Sequence, residues 1–314
     1  METFEQFMRR ALHDPKCGYY ARSISSIGAR GDFTTAPLLS DLPARAIAAW
    51  AGRELKKHRS THLIEVGPGT GALAKNVWQN LPFFQRLKTQ LHLVETSAPL
   101  AARQQTLLGN KPLWHTDLAK ALEKCRGNAV IYSNELVDAF PVRRFQLTAD
   151  GWRELALEQN THGHLAEKLL PAAQLPDSSI FQQSHGIGQW VEVHESYRQW
   201  LETWLPSWKQ GSLLTIDYGS TAESLYHRRP HGSIRGYFLQ QRVEGPAIYE
   251  NTGHQDLTAD VNFTDLIEWS EPWLSDSRLM SFREFLQPFA GKNETLLEDE
   301  QGVGEAFKVL IQQR

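Results

Sequence analysis

The chain has 314 residues and a formal net charge of −3, from 33 Lys and Arg against 36 Asp and Glu. This balance argues against a dedicated nucleic-acid binder, which is usually basic. The length suggests either about two domains or one large α/β domain with additions. Cys17 and Cys125 are the only cysteines, so a disulfide scaffold is excluded and a reducing compartment fits. No apolar run reaches about 18 residues, so we expect no membrane insertion.

Residues 1–58 predict a helical N-terminal segment. Apolar residues at helical spacing predict one helix over Met1–Leu12 and another over Leu42–His58, with a glycine-punctuated stretch between them. Charged residues in the first helix exclude the apolar core of a secretory signal peptide.

Residues 59–140 alternate between short apolar runs and helical patterns, which is typical of βαβ units with a parallel sheet. Ligands bind such sheets at the carboxyl ends of the strands. The predicted strands are Leu63–Val66, Leu91–Glu95, Leu113–His115 and Ala129–Ser133, and the predicted helices are Gly71–Gln79, Ala98–Leu108 and Leu118–Lys124.

The pattern changes after residue 140. Asp150-Gly151 predicts the turn of a β-hairpin. A long helix is predicted over Gln189–Trp208, and its aromatic stripe is more typical of core packing than of a partner groove. We therefore predict an insertion over 141–210 on the substrate side, and completion of the sheet over 211–314. The strands predicted here are Val142–Leu147, Trp152–Leu157, Ser212–Asp217 and Ala306–Ile311.

A glycine-rich turn follows the first predicted strand of residues 59–140. Residues 65–71 read Glu-Val-Gly-Pro-Gly-Thr-Gly, and a helix is predicted directly afterwards. Glycines let the backbone turn tightly and approach a ligand, and the helix N-terminus offers unbonded N–H groups. The residues predicted to form this cofactor site are Glu65, Gly67, Pro68, Gly69 and Gly71.

Such a turn can hold a dinucleotide or S-adenosylmethionine (SAM). Gly67, Gly69 and Ala72 satisfy the dinucleotide pattern. Glu65, however, would repel a pyrophosphate and attract the ammonium group of SAM, which carries no phosphate. We therefore favour SAM. A dinucleotide-binding oxidoreductase is the first alternative, and a structural turn without a ligand is the second.

Two further acids follow predicted strands. Glu95 ends the second strand, where it can accept both ribose hydroxyls of SAM; the alternative is an acid that interacts with the dipole of the helix capped by Ser97. Asp117 follows the third strand and either binds the adenine amino group or caps the next helix. At Glu95, the position at the end of the strand next to the glycine turn favours the ribose role. At Asp117, the sequence leaves both alternatives open.

An acidic turn follows the fourth predicted strand, where residues 134–138 read Asn-Glu-Leu-Val-Asp. We predict that Asn134 lies with the cofactor and that Glu135 and Asp138 lie beside the donor methyl as catalytic acids. Methyl transfer mostly requires positioning, and a carboxylate holds a cationic arginine acceptor through paired hydrogen bonds. The alternative is an acid-capped helix start.

Asp217 ends the strand Ser212–Asp217 and also faces the predicted cleft. It is either a further catalytic acid or a structural acid paired to an arginine such as Arg235. The histidines show no metal-ligand spacing and neither cysteine lies in a C-x-x-C pattern, so we predict no metal site.

Together these residues resemble the MidA-like family of mitochondrial complex I assembly-factor methyltransferases and their bacterial relatives. The match runs the length of the chain. The most specific blocks are Gly-Asp-Phe-Thr-Thr-Ala-Pro at 31–37, Asn-Glu-x-x-Asp-Ala at 134–139 and Gly-Glu-x-Phe-Lys at 304–308. The glycine turn alone is a weaker signal that a whole superfamily shares.

The resemblance implies an α/β fold of the class I SAM-dependent methyltransferases, with a Rossmann-like, mostly parallel sheet of seven strands and a late antiparallel strand. It implies methylation of arginine in a protein substrate, which is a respiratory complex I subunit in the mitochondrial members. It also implies that Asp32, Phe33 and Thr35 close over the SAM pocket, so that the N-terminal segment acts as a lid.

Two positions depart from the family pattern: Leu38 stands where the family has an acid, and Asp260 stands where it has a histidine. The short N-terminal segment leaves no room for a transit peptide, so we expect a bacterial cytoplasmic protein, or a mitochondrial-matrix protein only if a transit peptide has been removed. The alternative to an arginine methyltransferase is a SAM-binding assembly or scaffold protein with little turnover.

Overall fold

A computed structural model describes residues 1–22, 40–160, 164–290 and 303–314. The chain forms two compact units, each built from separate stretches. We refer to residues 24–136, 201–218 and 270–314 as the parallel-sheet unit, and to residues 1–23, 137–200 and 219–269 as the antiparallel unit.

The secondary structure of the described residues is as follows. The strands are β1 (Glu2–Thr3), β2 (His62–Val66), β3 (Gln90–Val94), β4 (Leu113–His115), β5 (Val130–Asn134), β6 (Arg143–Thr148), β7 (Gly151–Gln159), β8 (Leu165–Pro171), β9 (Trp190–Val193), β10 (Ser212–Ser220), β11 (Arg235–Phe238), β12 (Gln241–Val243), β13 (Asp256–Thr258), β14 (Val261–Asn262), β15 (Asp276–Ser281) and β16 (Phe307–Gln313). The helices are α1 (Phe4–His13), α2 (Tyr19–Arg22), α3 (Leu42–Lys57), α4 (Ala72–Asn80), α5 (Phe83–Arg86), α6 (Ala98–Leu108), α7 (Leu118–Lys124), α8 (Glu195–Trp204), α9 (Ala222–Leu225), α10 (Phe263–Ser270), α11 (Phe282–Leu286) and α12 (Val303–Ala306).

The parallel-sheet unit contains a mostly parallel sheet in the order β15-β16-β10-β5-β2-β3-β4. The strands from β10 to β4 pair in parallel, whereas β16 runs antiparallel between β10 and β15. The last two residues of β10 belong to the antiparallel unit, where they pair with β14. These pairings confirm the predicted seven-stranded sheet with a late antiparallel strand.

The direction of strand addition reverses between β2 and β5. The chain runs outward from β2 through β3 to β4, and then returns to the other side of β2 as β5. In open α/β sheets, ligands bind in the crevice that such a reversal leaves at the carboxyl ends of the strands. The glycine turn after β2 and the acidic turn after β5 therefore border the expected ligand site.

An apolar core covers one face of this sheet. Leu63, Leu91 and Leu93 of the inner strands are fully buried together with Trp50 of α3 and Val77 of α4. Each such side chain contributes roughly 1.5–3 kcal/mol when it leaves water. This packing gives the glycine turn a rigid base, because the turn connects β2 directly to α4.

The antiparallel unit has a sheet in the order β1-β7-β6-β9, with β8 also paired to β7. The predicted hairpin is confirmed, since Thr148 pairs with Gly151 at the turn between β6 and β7. Helix α1 begins with a capping box between Thr3 and Gln6, and its apolar face lies in the core of this unit. A second, three-stranded sheet has the order β12-β11-β13.

The prediction of one long helix over Gln189–Trp208 is wrong. Residues Trp190–Val193 form β9 and pair antiparallel with β6, helix α8 covers only Glu195–Trp204, and a 3₁₀ turn follows over Leu205–Ser207. The apolar residues of this stretch fit a helical period, but Val191 and Val193 also alternate as in a strand. Residues Trp190–Val193 form a strand because they pair with β6, and the local sequence pattern does not reveal this pairing.

The two units divide the chain differently from the four segments predicted from the sequence, which were 1–58, 59–140, 141–210 and 211–314. Residues 219–269 belong to the antiparallel unit, although we assigned them to the completion of the sheet, and residues 1–23 join them there. The three-stranded sheet and α1 account for this grouping, because both contribute to the core of the antiparallel unit. Among the described residues, no helix is both long and apolar enough to cross a bilayer.

Candidate functional site

The glycine turn after β2 has left-handed backbone at Gly67 (φ 66°), Gly69 (φ 51°) and Gly71 (φ 82°). A Cβ on Gly67 would lie 2.7 Å from Leu136 Cδ1, so a side chain here would displace the Leu136 side chain in the acidic turn. A Cβ on Gly69 would meet no atom of the described residues within 4 Å. The turn therefore presents open space at Gly69, where a ligand can approach the backbone.

The Glu65 carboxyl lies below this turn and is only 2% exposed. Its Oε2 accepts a hydrogen bond of 2.7 Å from the Tyr132 hydroxyl on the neighbouring strand β5. Burial raises the pKa of Glu65 to about 8. The carboxyl is therefore mostly protonated at neutral pH, and its predicted pairing with the SAM ammonium requires that the proton leaves.

Glu95 follows β3 and is joined to the glycine turn through Gln104 of α6. Glu95 Oε1 accepts from the Ser97 N–H (2.8 Å), and Oε2 accepts from Gln104 Nε2 (3.0 Å). The same Gln104 amide donates to the Gly69 carbonyl (2.8 Å), and its oxygen accepts from Trp114 Nε1 (3.1 Å). This network holds the Glu95 carboxylate beside the glycine turn, and the ribose role stays a prediction.

Asp117 caps α7, which is the structural alternative that the sequence left open. Its side chain accepts from the Lys120 N–H at 2.8 Å and forms an ion pair with Lys120 Nζ at 3.1 Å. These hydrogen bonds lower the pKa of Asp117. The contacts account for the residue as a helix cap, and contact with adenine stays a prediction.

The acidic turn after β5 holds Glu135 in a left-handed conformation, with φ of 50°. This conformation is uncommon for residues other than glycine, and residues held in it cluster at functional sites. Asn134 Nδ2 donates to Glu135 Oε1 and the Tyr218 hydroxyl donates to Oε2, each at 2.8 Å. The Glu135 N–H donates to the Ile216 carbonyl of β10, which fixes the backbone of the turn.

Asp217 anchors the same turn from β10. Its carboxylate accepts from the Leu136 N–H (3.1 Å) and from its neighbour's N–H at Tyr218 (2.9 Å), and the residue is fully buried. These contacts hold the acidic turn, and the catalytic role of Asp217 stays a prediction. Arg235, which we considered as its partner, forms an ion pair with Asp260 in the antiparallel unit.

Asp260, which replaces the family histidine, therefore has structural partners. Its carboxylate accepts from Arg235 Nη1 and from Arg229 Nη1. These two arginines hold the pKa of Asp260 below its usual range although the residue is buried. The ion pairs compensate the buried charge that this departure introduces.

The structure does not assemble all predicted site residues into one unit. Asp138 belongs to the antiparallel unit, where it is buried and its carbonyl accepts from the Ala259 N–H. Asp32, Phe33 and Thr35, the predicted lid residues, lie outside the described residues. The parallel-sheet unit brings together the residues of the glycine turn with Glu95, Asn134, Glu135 and Asp217.

Three residues of this site were missed at the level of sequence. Gln104, Tyr132 and Tyr218 each donate to a predicted acid, at Glu95, Glu65 and Glu135 respectively. Tyr132 had a weak signal, because it places a hydroxyl in a buried strand directly after the aliphatic residues Val130 and Ile131. Gln104 is fully buried in α6, and polar residues in buried positions usually have a hydrogen-bond partner.

Comparisons with known proteins agree with this geometry. Residues 46–274 match the family model described as "Putative S-adenosyl-L-methionine-dependent methyltransferase". The match covers most of the chain, and the chain belongs to this family. Its cofactor is SAM, which decides against the dinucleotide alternative.

Similar proteins include the mitochondrial "Protein arginine methyltransferase NDUFAF7 homolog" of Caenorhabditis elegans, at 27% identity, and that of Drosophila melanogaster, at 29%. The alignments cover 83% and 82% of this chain but 66% and 64% of those proteins. The chain thus spans slightly less than two thirds of the length of these relatives.

A solved structure with a similar fold is that of a Burkholderia thailandensis protein bound to S-adenosyl-homocysteine. It is 25% identical, superposes with a TM-score of 0.85, and the match covers 99% of this chain and 87% of that one. The open space at Gly69 and the buried polar network of Glu95 and Gln104 fit a ligand that combines hydroxyl groups with a charged amino-acid end.

Proposed function

We propose that this chain transfers a methyl group from SAM to an arginine side chain of a protein substrate. The observation that carries the proposal is Glu135, a half-buried carboxylate held in left-handed backbone at the carboxyl end of β5. The names of the similar mitochondrial proteins support the same acceptor.

The residues that would hold the cofactor are Gly67, Gly69 and Gly71 of the turn together with Glu95. When bound, SAM would supply a methyl group on a sulfonium. The lone pair of the acceptor nitrogen would attack this carbon in line, S-adenosylhomocysteine would leave with the electron pair of the broken C–S bond, and the arginine would release one N–H proton. The protein's contribution to such a reaction is mostly to position the two reactants.

Glu135 is suited to hold the acceptor guanidinium. The Glu135 oxygens accept hydrogen bonds from Asn134 Nδ2 and from the Tyr218 hydroxyl, and these hydrogen bonds orient the carboxylate. A carboxylate can receive the two parallel N–H groups of an arginine side by side. The negative charge compensates the cation and favours localisation of the positive charge on the nitrogens that it binds.

Asp217 acts on the acceptor through Glu135. The Asp217 carboxylate accepts a hydrogen bond from the Leu136 N–H and so holds the peptide that follows Glu135. This hydrogen bond keeps Glu135 in its strained conformation. Left-handed backbone costs about 1–3 kcal/mol at a residue with a side chain, so such an anchor is needed.

The proposal is tested by incubating the purified protein and isotope-labelled SAM with an extract of cells that lack its gene. Mass spectrometry of the extract should find labelled methyl-arginine, and the Glu135→Gln variant should produce at most about a tenth as much. Peptides around the labelled site, synthesised with Arg or with Lys, then test the acceptor. Equal methylation of Lys, or label found only outside arginine, contradicts the proposal; SAM binding without turnover would favour the scaffold alternative.

A further inference from the structure

Three histidines lie on a diagonal across one face of the parallel sheet. His62 begins β2, His92 lies in the middle of β3 and His115 ends β4. The parallel register pairs His92 with Ile64, two residues after His62, and with Leu113, two residues before His115. Because side chains alternate between the two faces, all three imidazoles project from the same face.

His92 is the centre of this group. Its Nδ1 lies 2.9 Å from His115 Nε2, and its Nε2 lies 3.0 Å from His62 Nδ1 and 3.6 Å from Cys125 Sγ. Cys125 directly follows α7, and both it and His92 are buried, while His62 is partly exposed. Strands β2 and β3 and the end of α7 thus direct two imidazoles and a thiol at one point.

Hydrogen bonds alone do not use all of these groups. A neutral imidazole has one N–H and one acceptor nitrogen. If His92 donates from Nδ1 to His115, its Nε2 offers a single lone pair to both His62 and the Cys125 thiol. A metal ion that replaces the two facing protons would engage all three atoms at once.

We propose that His62 Nδ1, His92 Nε2 and Cys125 Sγ bind a zinc ion, and that His115 positions the His92 ring. The three ligand atoms all lie within 4.8 Å of one another. Tetrahedral zinc with Zn–N bonds of about 2.0–2.1 Å and Zn–S bonds of about 2.3 Å holds its ligand atoms roughly 3.3–3.6 Å apart. The 3.6 Å between His92 Nε2 and Cys125 Sγ fits this geometry, and the 3.0 Å between the two ring nitrogens has to widen slightly. Imidazole and thiolate are the ligands that zinc prefers.

The protons and charges balance in this step. The Cys125 S–H bond breaks, the Zn–S bond forms, and the thiol proton leaves to solvent. The ring nitrogens bind as neutral ligands, because the His62 proton leaves Nδ1 and the ring takes up a proton from solvent at Nε2. Water takes the fourth position on the partly exposed His62 side. The ion would then join β2, β3 and the end of α7, which is a structural role and leaves the methyl-transfer site unchanged.

The His115 ring is the hydrogen-bond partner of the His92 nitrogen that does not bind the metal, and metal-binding histidines usually have such a partner. By accepting the Nδ1 proton of His92, it leaves the Nε2 lone pair for the metal and fixes the ring orientation. Loss of such a partner typically weakens metal binding about 10–100-fold.

The test uses the full chain, stripped of metal and titrated with Co²⁺ and then with Zn²⁺. We expect one ion per chain, a thiolate-to-cobalt charge-transfer band, and a higher melting temperature with zinc. Cys125→Ser should abolish the band and the zinc-dependent stabilisation, and His62→Gln should weaken binding. His115→Phe should keep the band but bind about 10–100-fold more weakly.

Cys17→Ser is the matched control, because Cys17 is the other free cysteine and lies in the antiparallel unit. This variant should keep the stoichiometry and the band. The proposal is overturned if the wild type binds no zinc, if the band survives in Cys125→Ser, or if copper but not zinc reaches one ion per chain. Since Cys125→Ser and His62→Gln change little volume, the test does not depend on a variant of the fully buried His92.

Discussion

The Tyr218 hydroxyl donates a hydrogen bond of 2.8 Å to Glu135 Oε2, so that a residue of β10 orients the acid that follows β5. The ring itself is fixed by Phe307 of β16, with 4.0 Å between the ring centroids. Residues of β10 and β16, in addition to β5 itself, therefore position Glu135, and the orientation of its side chain depends on several strands of the sheet.

We predict that Tyr218→Phe lowers the rate of methyl transfer about tenfold without changing SAM affinity. The variant removes a hydrogen bond to a charged group, which is worth about 1.5–3 kcal/mol, while the ring still packs on Phe307. Single-turnover kinetics and calorimetric titration with SAM measure the two effects. An unchanged rate would show that the hydroxyl does not position Glu135.

Glu135→Gln should reduce methyl transfer by at least about tenfold, the equivalent of 1.4 kcal/mol, and should leave SAM affinity unchanged. The amide keeps the shape of the side chain but loses the charge that holds a guanidinium. Glu123→Gln, at an exposed position of α7, is the control and should retain full activity. A Glu135→Gln enzyme with the wild-type rate would exclude Glu135 as the acceptor-binding acid.

Glu95→Ala should weaken SAM binding by about 1.5–3 kcal/mol, because a carboxylate that accepts ribose hydroxyls forms charge-assisted hydrogen bonds. Ser97→Ala is the matched control: it removes the N-cap of α6 and should cost about 1 kcal/mol of stability without changing SAM affinity. If Glu95→Ala behaves like Ser97→Ala in titration and in thermal unfolding, Glu95 serves only the start of the helix.

Gly69→Asn should abolish measurable SAM binding while the protein stays folded. The new side chain enters the open space of the turn, and asparagine tolerates left-handed backbone better than most residues. Gly245→Asn is the control, since Gly245 has a similar φ of 60° and equally open surroundings in the antiparallel unit. Both variants should melt at similar temperatures, and only Gly69→Asn should lose SAM; binding retained by both would place the ligand elsewhere.

Gly67→Val is a poorer test of the same turn. At Gly67 a Cβ would lie 2.7 Å from Leu136, so a loss of SAM binding would not separate a blocked pocket from a displaced acidic turn.

Glu65→Gln should stabilise the protein at neutral pH, and this gain should grow with pH. The pKa of the Glu65 carboxyl is raised from 4.5 to about 8 on folding, so the folded state binds more protons than the unfolded state between these values. The contribution of Glu65 to the free energy of unfolding is fully present below about pH 4.5 and is lost as the pH rises toward 8.

Urea unfolding of the wild type and of Glu65→Gln from pH 5 to pH 8 measures the difference between their free energies of unfolding. This difference should rise by up to about 1.4 kcal/mol per pH unit. A constant gain for Glu65→Gln would mean that Glu65 is ionised in the folded protein throughout this range.

Much of the fold could be predicted from the sequence because its signals are local. Short, mainly apolar runs separated by helical patterns define β2 to β5. The glycines at 67, 69 and 71 mark the turn at which the backbone is left-handed. The acids at 65, 95 and 135 could be placed at strand ends for the same reason. Their positions relative to the strands follow from the chain alone.

The partners of these acids could not be predicted, because they come from distant parts of the chain. Gln104 reaches Glu95 from within a helix, and Asp217 reaches the turn at Glu135 across 81 residues of sequence. The same limit explains the error over Gln189–Trp208, where pairing with β6 overrides a helical period.

The histidines show this division most clearly. By itself, the sequence determined that His62, His92 and Cys125 have no metal-binding spacing, and it led us to predict no metal site. The tertiary structure decided instead that they meet, because parallel pairing offsets His62, His92 and His115 by two residues from strand to strand and α7 ends at Cys125. Spacing along the chain records only short-range geometry, whereas the register of a parallel sheet is set by packing between strands that are tens of residues apart.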